Sequence, residues 1–237
     1  MYRIAVFSDI HGNAEALDAI LSDIRGREID EIICLGDLIG IGPNPKECLD
    51  RVLHDQKVQL VLGNHEYFFL TGKSSKKETM GSQEMEHYKW TWDQLSDLDR
   101  QCLKKVPMMI ERHIDGKDFA FLHYAYNEDG FLPAEMLNLE NYQTIFSDME
   151  YDYVFIGHEH ESHFLQTERT QFIDVGSSGC VSGNETFYVI IEIDQGNIQL
   201  ERIVLSYDRE LFVSKLLNTD YPEHDFMATV FFGLKTS

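Results

Sequence analysis

Five short apolar runs in this chain each end in residues able to bind metal ions, and that arrangement restricts the folds open to it. Arg3 to Phe7 leads into Asp9 and His11, Glu31 to Leu35 into Gly36-Asp37, and Val58 to Leu62 into Gly63-Asn64-His65-Glu66. Asp118 to Leu122 leads into His123, and Tyr151 to Ile156 into Gly157-His158-Glu159-His160. Such runs predict buried strands, and in open α/β sheets ligands gather at the carboxyl ends of strands. The donors are carboxylate and amide oxygens with imidazole nitrogens and no thiolate. That mix suits a pair of first-row divalent cations rather than a structural zinc or a cluster, and the pattern is that of a two-metal hydrolase.

The intervening segments fit a layered α/β fold. Asn13 can cap a helix whose Leu17, Ile20, Leu21 and Ile24 recur at helical spacing. Asn44 and Pro45 stand at the cap and first position of a second helix, with Cys48, Leu49, Val52 and Leu53 on its buried face. The polar, Lys/Ser-rich stretch from Gly72 to Ser82, Lys76-Lys77-Glu78 included, reads as an exposed loop, and Gln83 to Lys105 as helix interrupted near Ser96. Residues from about 66 to 106 thus form a helical insertion. Phe172 to Val175, Phe187 to Ile193 and Ile198 to Leu205 predict strands, the last two joined by a hairpin loop at Asp194-Gln195-Gly196-Asn197. An extension from about 206 to 237 carries a short helix signal and no site chemistry. Because motifs run through both halves, we expect one domain over residues 1–237.

At 237 residues with 43% hydrophobic composition, the chain can bury a full core. Its 20 Lys plus Arg face 41 Asp plus Glu, a net charge of -21 that would repel a polyphosphate backbone and makes long nucleic acid a poor partner. Cys34, Cys48, Cys102 and Cys180 are scattered without paired spacing, and no signal-peptide pattern opens the chain; both point to a cytoplasmic protein with free thiols. No apolar stretch reaches the ~18 residues of a membrane span. Oligomeric state leaves no trace in the sequence.

The five motifs, in this order, closely resemble those of the calcineurin-like metallophosphoesterase superfamily, especially its small bacterial and archaeal phosphodiesterase branch, over about residues 2 to 205. The resemblance implies a four-layer α/β/β/α sandwich. It also implies that Asp9, His11 and His160 hold one metal, that Asn64, His123 and His158 hold a second, and that Asp37 bridges them. His65 would sit just outside the metals as a catalytic group, where as an imidazolium it could hydrogen-bond a phosphoryl oxygen or protonate the leaving alkoxide. Two metals ~3.5 to 4 Å apart can activate a shared water for in-line displacement at phosphorus. Asp9 and Asp37 cancel only half the charge of two divalent cations, so an acidic protein keeps a locally positive site.

Other signals have plainer readings. His54, His87, His113, His163 and His224 are surface or core residues, with His163 the best exception because it lies close after His160. Gly72-Lys73-Ser74 imitates the end of a phosphate-binding loop, but Tyr67 stands where that motif requires Gly. Tyr67, Phe68, Phe69, Tyr88, Trp90 and Trp92 could stack on a nucleobase, although aromatic residues at helical spacing belong more often to a core.

Departures from the family pattern bear on substrate. Family protein phosphatases read Gly-Asp-x-x-Asp-Arg-Gly, whereas this chain has Ile41 at the position of the phosphate-clamping Arg, which argues against a phosphoserine or phosphothreonine phosphatase. Tyr124 comes after His123 where related phosphodiesterases carry a small residue, so we expect a bulky ring beside the metals that narrows the pocket or contacts substrate. Gly176-Ser177-Ser178-Gly179 resembles a family loop near the site, with Asp174 and Val175 where Asn and Pro are usual. The expected activity is hydrolysis of small phosphodiesters or nucleotide-like phosphates by a metal-bridging hydroxide. Manganese is the favoured metal, with iron, zinc, cobalt and nickel also compatible. A non-catalytic scaffold on the same fold, or a nuclease, are the alternatives.

Overall fold

Strand β1 (Tyr2–Phe7) is apolar on both faces, because Ala5 and Phe7 point into one core and Ile4 and Val6 into another. Period-two alternation that buries both faces places a strand between two packed layers. The computed structural model describes residues 1–72, 81–132, 139–147 and 149–234. Most of the Lys/Ser-rich stretch expected as a loop lies outside them.

From β1 the chain continues through α1 (Ala14–Arg25), β2 (Glu31–Cys34), α2 (Pro45–Leu53), β3 (Val58–Leu60), α3 (Asn64–Thr71), α4 (Ser82–Gln94) and α5 (Asp97–Leu103). Strands β4 (Met109–Ile114), β5 (Lys117–Leu122), β6 (Tyr126–Asn127) and β7 (Gly130–Phe131) come next, then α6 (Leu139–Ile145), β8 (Tyr153–Ile156), β9 (His163–Gln166) and β10 (Gln171–Asp174). The chain finishes with β11 (Glu185–Asp194), β12 (Asn197–Ser206), α7 (Arg209–Asn218) and α8 (His224–Val230).

Two five-stranded sheets result, ordered β12-β11-β1-β2-β3 and β4-β5-β8-β10-β9. Their inner faces meet through Ile4, Val6, Ile33, Phe121, Phe155 and Ile191. Helices α1 and α2 and the α3–α5 insertion cover the outer face of the first sheet through Leu17, Leu49, Phe69 and Leu103. Across the second sheet, Tyr142 and Phe146 cover Leu122, Val154, Ile156 and Phe172. The four-layer α/β/β/α arrangement expected from the resemblance is therefore observed. Within it, β1, β2 and β3 are parallel, as are β5, β8 and β10.

Local chemistry accounts for most boundaries. Asn13 Oδ1 accepts from Ala16 N at 3.0 Å, and the α1 residues expected in the core are buried. Asn44 occupies the cap position of α2 without a side-chain cap bond, so Pro45 with its preset φ starts that helix. Ser96 separates α4 from α5 and exchanges hydrogen bonds with Asp99. Gln195 and Gly196 have φ of 50° and 79° between paired Asp194 and Asn197, the signature of a type I′ hairpin.

The structure holds elements that the sequence pattern does not predict. The strands from Gln171 onward divide between the two sheets, since β10 joins β8 while β11 pairs antiparallel with β1. Strands β4 and β9 are sheet edges whose half-polar sequences carry no clean alternation, and β6, β7 and α6 are too short to show a period. No helix among the described residues is long and apolar enough to cross a membrane.

Candidate metal centre

The parallel pairing of β1 with β2 continues past the strands, so the first two motif loops run side by side. Asp9 N donates to the Gly36 carbonyl at 3.1 Å, His11 N to Asp37 O at 2.9 Å, and Gly12 N to Leu38 O at 2.8 Å. In the other sheet, Gly157 N donates to His123 O at 2.9 Å. The two loop sets meet where His158 N donates to Asp9 Oδ2 at 3.1 Å. That approach requires glycine at 157, since a Cβ there would lie 2.5 Å from Asp9 Oδ2.

All eight residues expected at the site converge here. Asp9, His11 and His160 form one cluster: the Nε2 atoms of the two histidines are 3.0 Å apart and each is 3.5 Å from Asp9 Oδ1. Asn64, His123 and His158 form another, with Asn64 Oδ1 2.8 Å from both His123 Nε2 and His158 Nδ1. Asp37 Oδ2 lies between the clusters, 3.3 Å from His123 Nε2 and 3.8 Å from His11 Nε2. His65 is more peripheral, with Nε2 4.0 Å from Asp37 Oδ2 and its ring edge-on to His11 at 4.9 Å.

The donor atoms fit divalent cations. Asp9 Oδ1 is buried without a hydrogen-bond donor, and a buried carboxylate oxygen left in that state is costly unless a cation faces it. His123 Nδ1 lies 2.9 Å from the Leu35 carbonyl, which keeps a proton on Nδ1 and turns Nε2 inward; the Asp37 and Asp9 carboxylates overcome burial and raise the ring to about 9, so a cation at Nε2 would displace a proton. Two imidazole nitrogens facing each other, as in His11 and His160, can share one proton or one metal.

Backbone conformation marks the same place. Asp9, His11, Asp37, His158 and His160 all have positive φ, from 48° to 80°, and they make up five of the nine such non-glycine residues among those described. Each costs of order 1–3 kcal/mol and persists only where surrounding structure over-determines it, a pattern concentrated at functional sites.

The electrostatics favour cations. Burial opposes ionisation of Asp9 and Asp37, yet His123 and the other surrounding histidines outweigh it and hold both carboxyls below their usual range. Burial lowers His158 to about 4, whereas for His160 the Asp9 carboxylate overcomes burial and raises it to about 11. Burial also pushes His65 down to about 4 despite the attraction of Asp37. Its side chain keeps 30% exposure, an opening toward solvent through which a substrate can reach it. Burial thus favours neutral imidazole at His65, where the sequence suggests imidazolium.

Glu66 was part of a motif without an assigned role. It is fully buried, and its carboxylate accepts from four backbone amides, Asp37 (2.8 Å), Leu38 (2.8 Å), Ile39 (3.1 Å) and Gly63 (3.0 Å). Burial and the Asp37 charge raise its pKa to about 7 against the pull of those amides. Its third position in α3, within reach of the preceding amide, was the available clue. Glu66→Gln would turn an NH₂ toward donors and should destabilise the fold by about 1–3 kcal/mol. A urea midpoint unchanged from the parent would remove Glu66 from this role.

The Gly176–Gly179 loop lies at the site as expected. Ser177 Oγ donates to Asp9 O at 2.8 Å, and Ser177 N to His160 O at 3.0 Å. Tyr124 does not behave as expected. It is 0% exposed, with its ring 4.6 Å from that of His158 and against Phe146 in the outer core. It therefore backs His158 and cannot touch substrate. Among the aromatic residues considered for stacking, Phe69, Tyr88 and Trp92 pack in the core under the insertion, while Tyr67 packs on Phe131. Trp90 meets Tyr221, and Phe68 adjoins His65 at 5.9 Å. His54, His113, His163 and His224 contact Asp50, Asp118, Glu161 and Asp225, and His163 belongs to none of the potential metal-binding groups among the described residues.

Comparison with known proteins extends over nearly the whole chain. Residues 2–196 match the sequence profile of the calcineurin-like phosphoesterase superfamily domain. An uncharacterized protein of Methanocaldococcus jannaschii is 29% identical over 93% of this chain and 94% of its own. The crystal structure of a hypothetical protein from Pyrococcus horikoshii superposes with a TM-score of 0.80 at 19% identity, covering 100% of both chains. That of a metallophosphoesterase from Sphaerobacter thermophilus gives 0.76 at 23% identity, covering 98% of this chain and 99% of the other. These structural likenesses establish the shared fold.

Proposed function

The chain belongs to the calcineurin-like phosphoesterase superfamily, and from that membership we propose that it hydrolyses small phosphodiesters or nucleotide-like phosphates at a two-metal centre. The observation that carries the reading is Asp37 Oδ2, positioned between one cluster of two His and an Asp and another of two His and an Asn. Asp9, His11 and His160 would hold one cation, Asn64, His123 and His158 the other, and Asp37 both. When bound, the cations supply Lewis acidity at phosphorus and lower the pKa of a water. Manganese is the first cation to test, since nitrogen and oxygen donors also accept iron, cobalt, nickel or zinc and availability usually decides.

The chain's own groups do the remaining work. Neutral His65 presents an N–H to a phosphoryl oxygen. To protonate the leaving oxygen the ring must first take up a proton from solvent, an uptake that negative charge gathering on the phosphoryl group favours; it then passes that proton on and returns to neutral imidazole. Phe68 offers apolar surface beside it. After burial itself, histidines act most strongly on Asp9 and Asp37, and Ile41 is buried rather than presented to phosphate. With Ile41 at the position of the cationic clamp, a singly charged diester whose second substituent binds near Phe68 suits the site better than a dianionic phosphopeptide. Because both sheets supply ligands to one centre, we take residues 1–237 as one domain, including the insertion near 66–106 and the extension near 206–237. A cytoplasmic setting rests on the scattered cysteines.

Side-by-side kinetics with added manganese should give a higher kcat/KM on an aryl or nucleoside phosphodiester than on phosphoserine peptides. If phosphopeptides are turned over faster, this substrate reading is wrong although the metal centre survives it.

A further inference from the structure

Ile41 occupies the tip of a three-residue turn closed by Gly42 N donating to the Gly40 carbonyl at 2.7 Å. Its φ is 63°. Positive φ at a β-branched residue is a true outlier, and this hand of the turn is the strained one. The turn is wedged between two residues of the metal centre. A Cβ on Gly40 would run into His65 Nδ1, and one on Gly42 would run into the His11 carbonyl oxygen. The position of the His65 ring therefore depends on where this turn is held.

The C-terminal extension holds it. The Ile41 side chain, 6% exposed, is buried among Phe212, Leu216, Tyr221, Met227 and Phe232, and the Tyr221 phenol lies against the Ile41 backbone. The extension is itself anchored around the site. Lys215 Nζ bonds Glu15 Oε1 at 2.6 Å, just after the first motif, and Trp90 of the insertion donates to Asp220 at 2.8 Å. The superfamily match ends at residue 196, before any of these C-terminal residues.

We propose that the C-terminal helices act as a brace that keeps the Gly40–Gly42 turn against His65, with Ile41 as the positioning residue that transmits the constraint. Strain at a functional turn persists when packing elsewhere over-determines it, and the aromatic cluster supplies that packing. The inference rests on the role proposed for His65 and extends it to a segment expected from the sequence to carry no site chemistry.

The test compares Ile41→Ala, which removes the anchor, with Ile41→Val, which keeps the branched side chain, and Tyr221→Phe, which removes only the hydroxyl. Metal content by elemental analysis should stay at the parental level in all three. In Ile41→Ala the His65 side-chain signals in ¹H–¹⁵N spectra should shift or broaden, and kcat on an aryl phosphodiester should fall roughly 10- to 100-fold, the scale of a misplaced catalytic group. Ile41→Val should restore both. In a His65→Ala background Ile41→Ala should cost little further, because the two act through one group. An unmoved His65 signal, or equal losses in the presence and absence of His65, would overturn the brace. Should Ile41→Ala fail to fold, Tyr221→Phe carries the same readouts. If the parent protein proves inactive on every phosphoester, the function proposed above fails, while the His65 spectra still decide whether the turn is braced.

Discussion

Replacing Asp37 with Asn should strip metal from both halves of the centre at once. Asp37 Oδ1 accepts from His65 N at 2.9 Å, while Oδ2 faces His123 on one side and His11 on the other. Asn is nearly isosteric and retains one carbonyl oxygen, so the change removes a negative charge and turns two N–H groups toward the position of a cation. Loss of an outer partner of a metal ligand typically costs 10- to 100-fold in affinity, and loss of a shared ligand should exceed roughly that at each half. Elemental analysis of the purified variant is the direct measurement. Near-full occupancy of either half would refute the bridge, and loss confined to one half would assign Asp37 to that half alone.

His65→Ala should behave in the opposite way, leaving metal content nearly unchanged while kcat falls roughly 10²-fold or more, the scale of general acid–base catalysis. His65 stands next to candidate ligand Asn64, and its Nε2, 4.0 Å from Asp37 Oδ2, lies with His11 and Asp37 in a group close enough to hold a cation, with a side chain as open as that of candidate ligand His160. Geometry therefore leaves both roles open to His65, and metal content measured beside activity separates them. Parallel loss of metal and activity would make His65 a ligand and undo its assignment here.

The aromatic residues carry a lesson about local pattern. Tyr124 is adjacent to a candidate ligand in sequence, which suggested a ring beside the metals. Alternation at the end of β5 instead turns it to the opposite side of His123, into the layer with Tyr142 and Phe146. Trp90 and Trp92 lie two residues apart on α4, yet one meets the C-terminal Tyr221 and the other packs on Phe69. Phe68 adjoins His65, while the buried Tyr124 ring backs His158 from the core side.

The candidate metal ligands were legible as a group because they lie in contiguous stretches: each motif sits directly after its own strand, and a parallel strand delivers its trailing loop to the carboxyl edge of the sheet. Donor type, motif order, the α1 and α2 caps and the β11–β12 hairpin all depend on residues a few positions apart, so periodicity and turn chemistry revealed them. Pairings between distant segments were a different matter. The division of β10 and β11 between two sheets, the four amides gathered by Glu66 from residues 37 to 39 and 63, and the burial of Ile41 under residues 212 to 232 leave no local periodic signal. They are decided by which surfaces remain to be covered once the strands have assembled, and that is a property of the packed molecule rather than of any short stretch of chain.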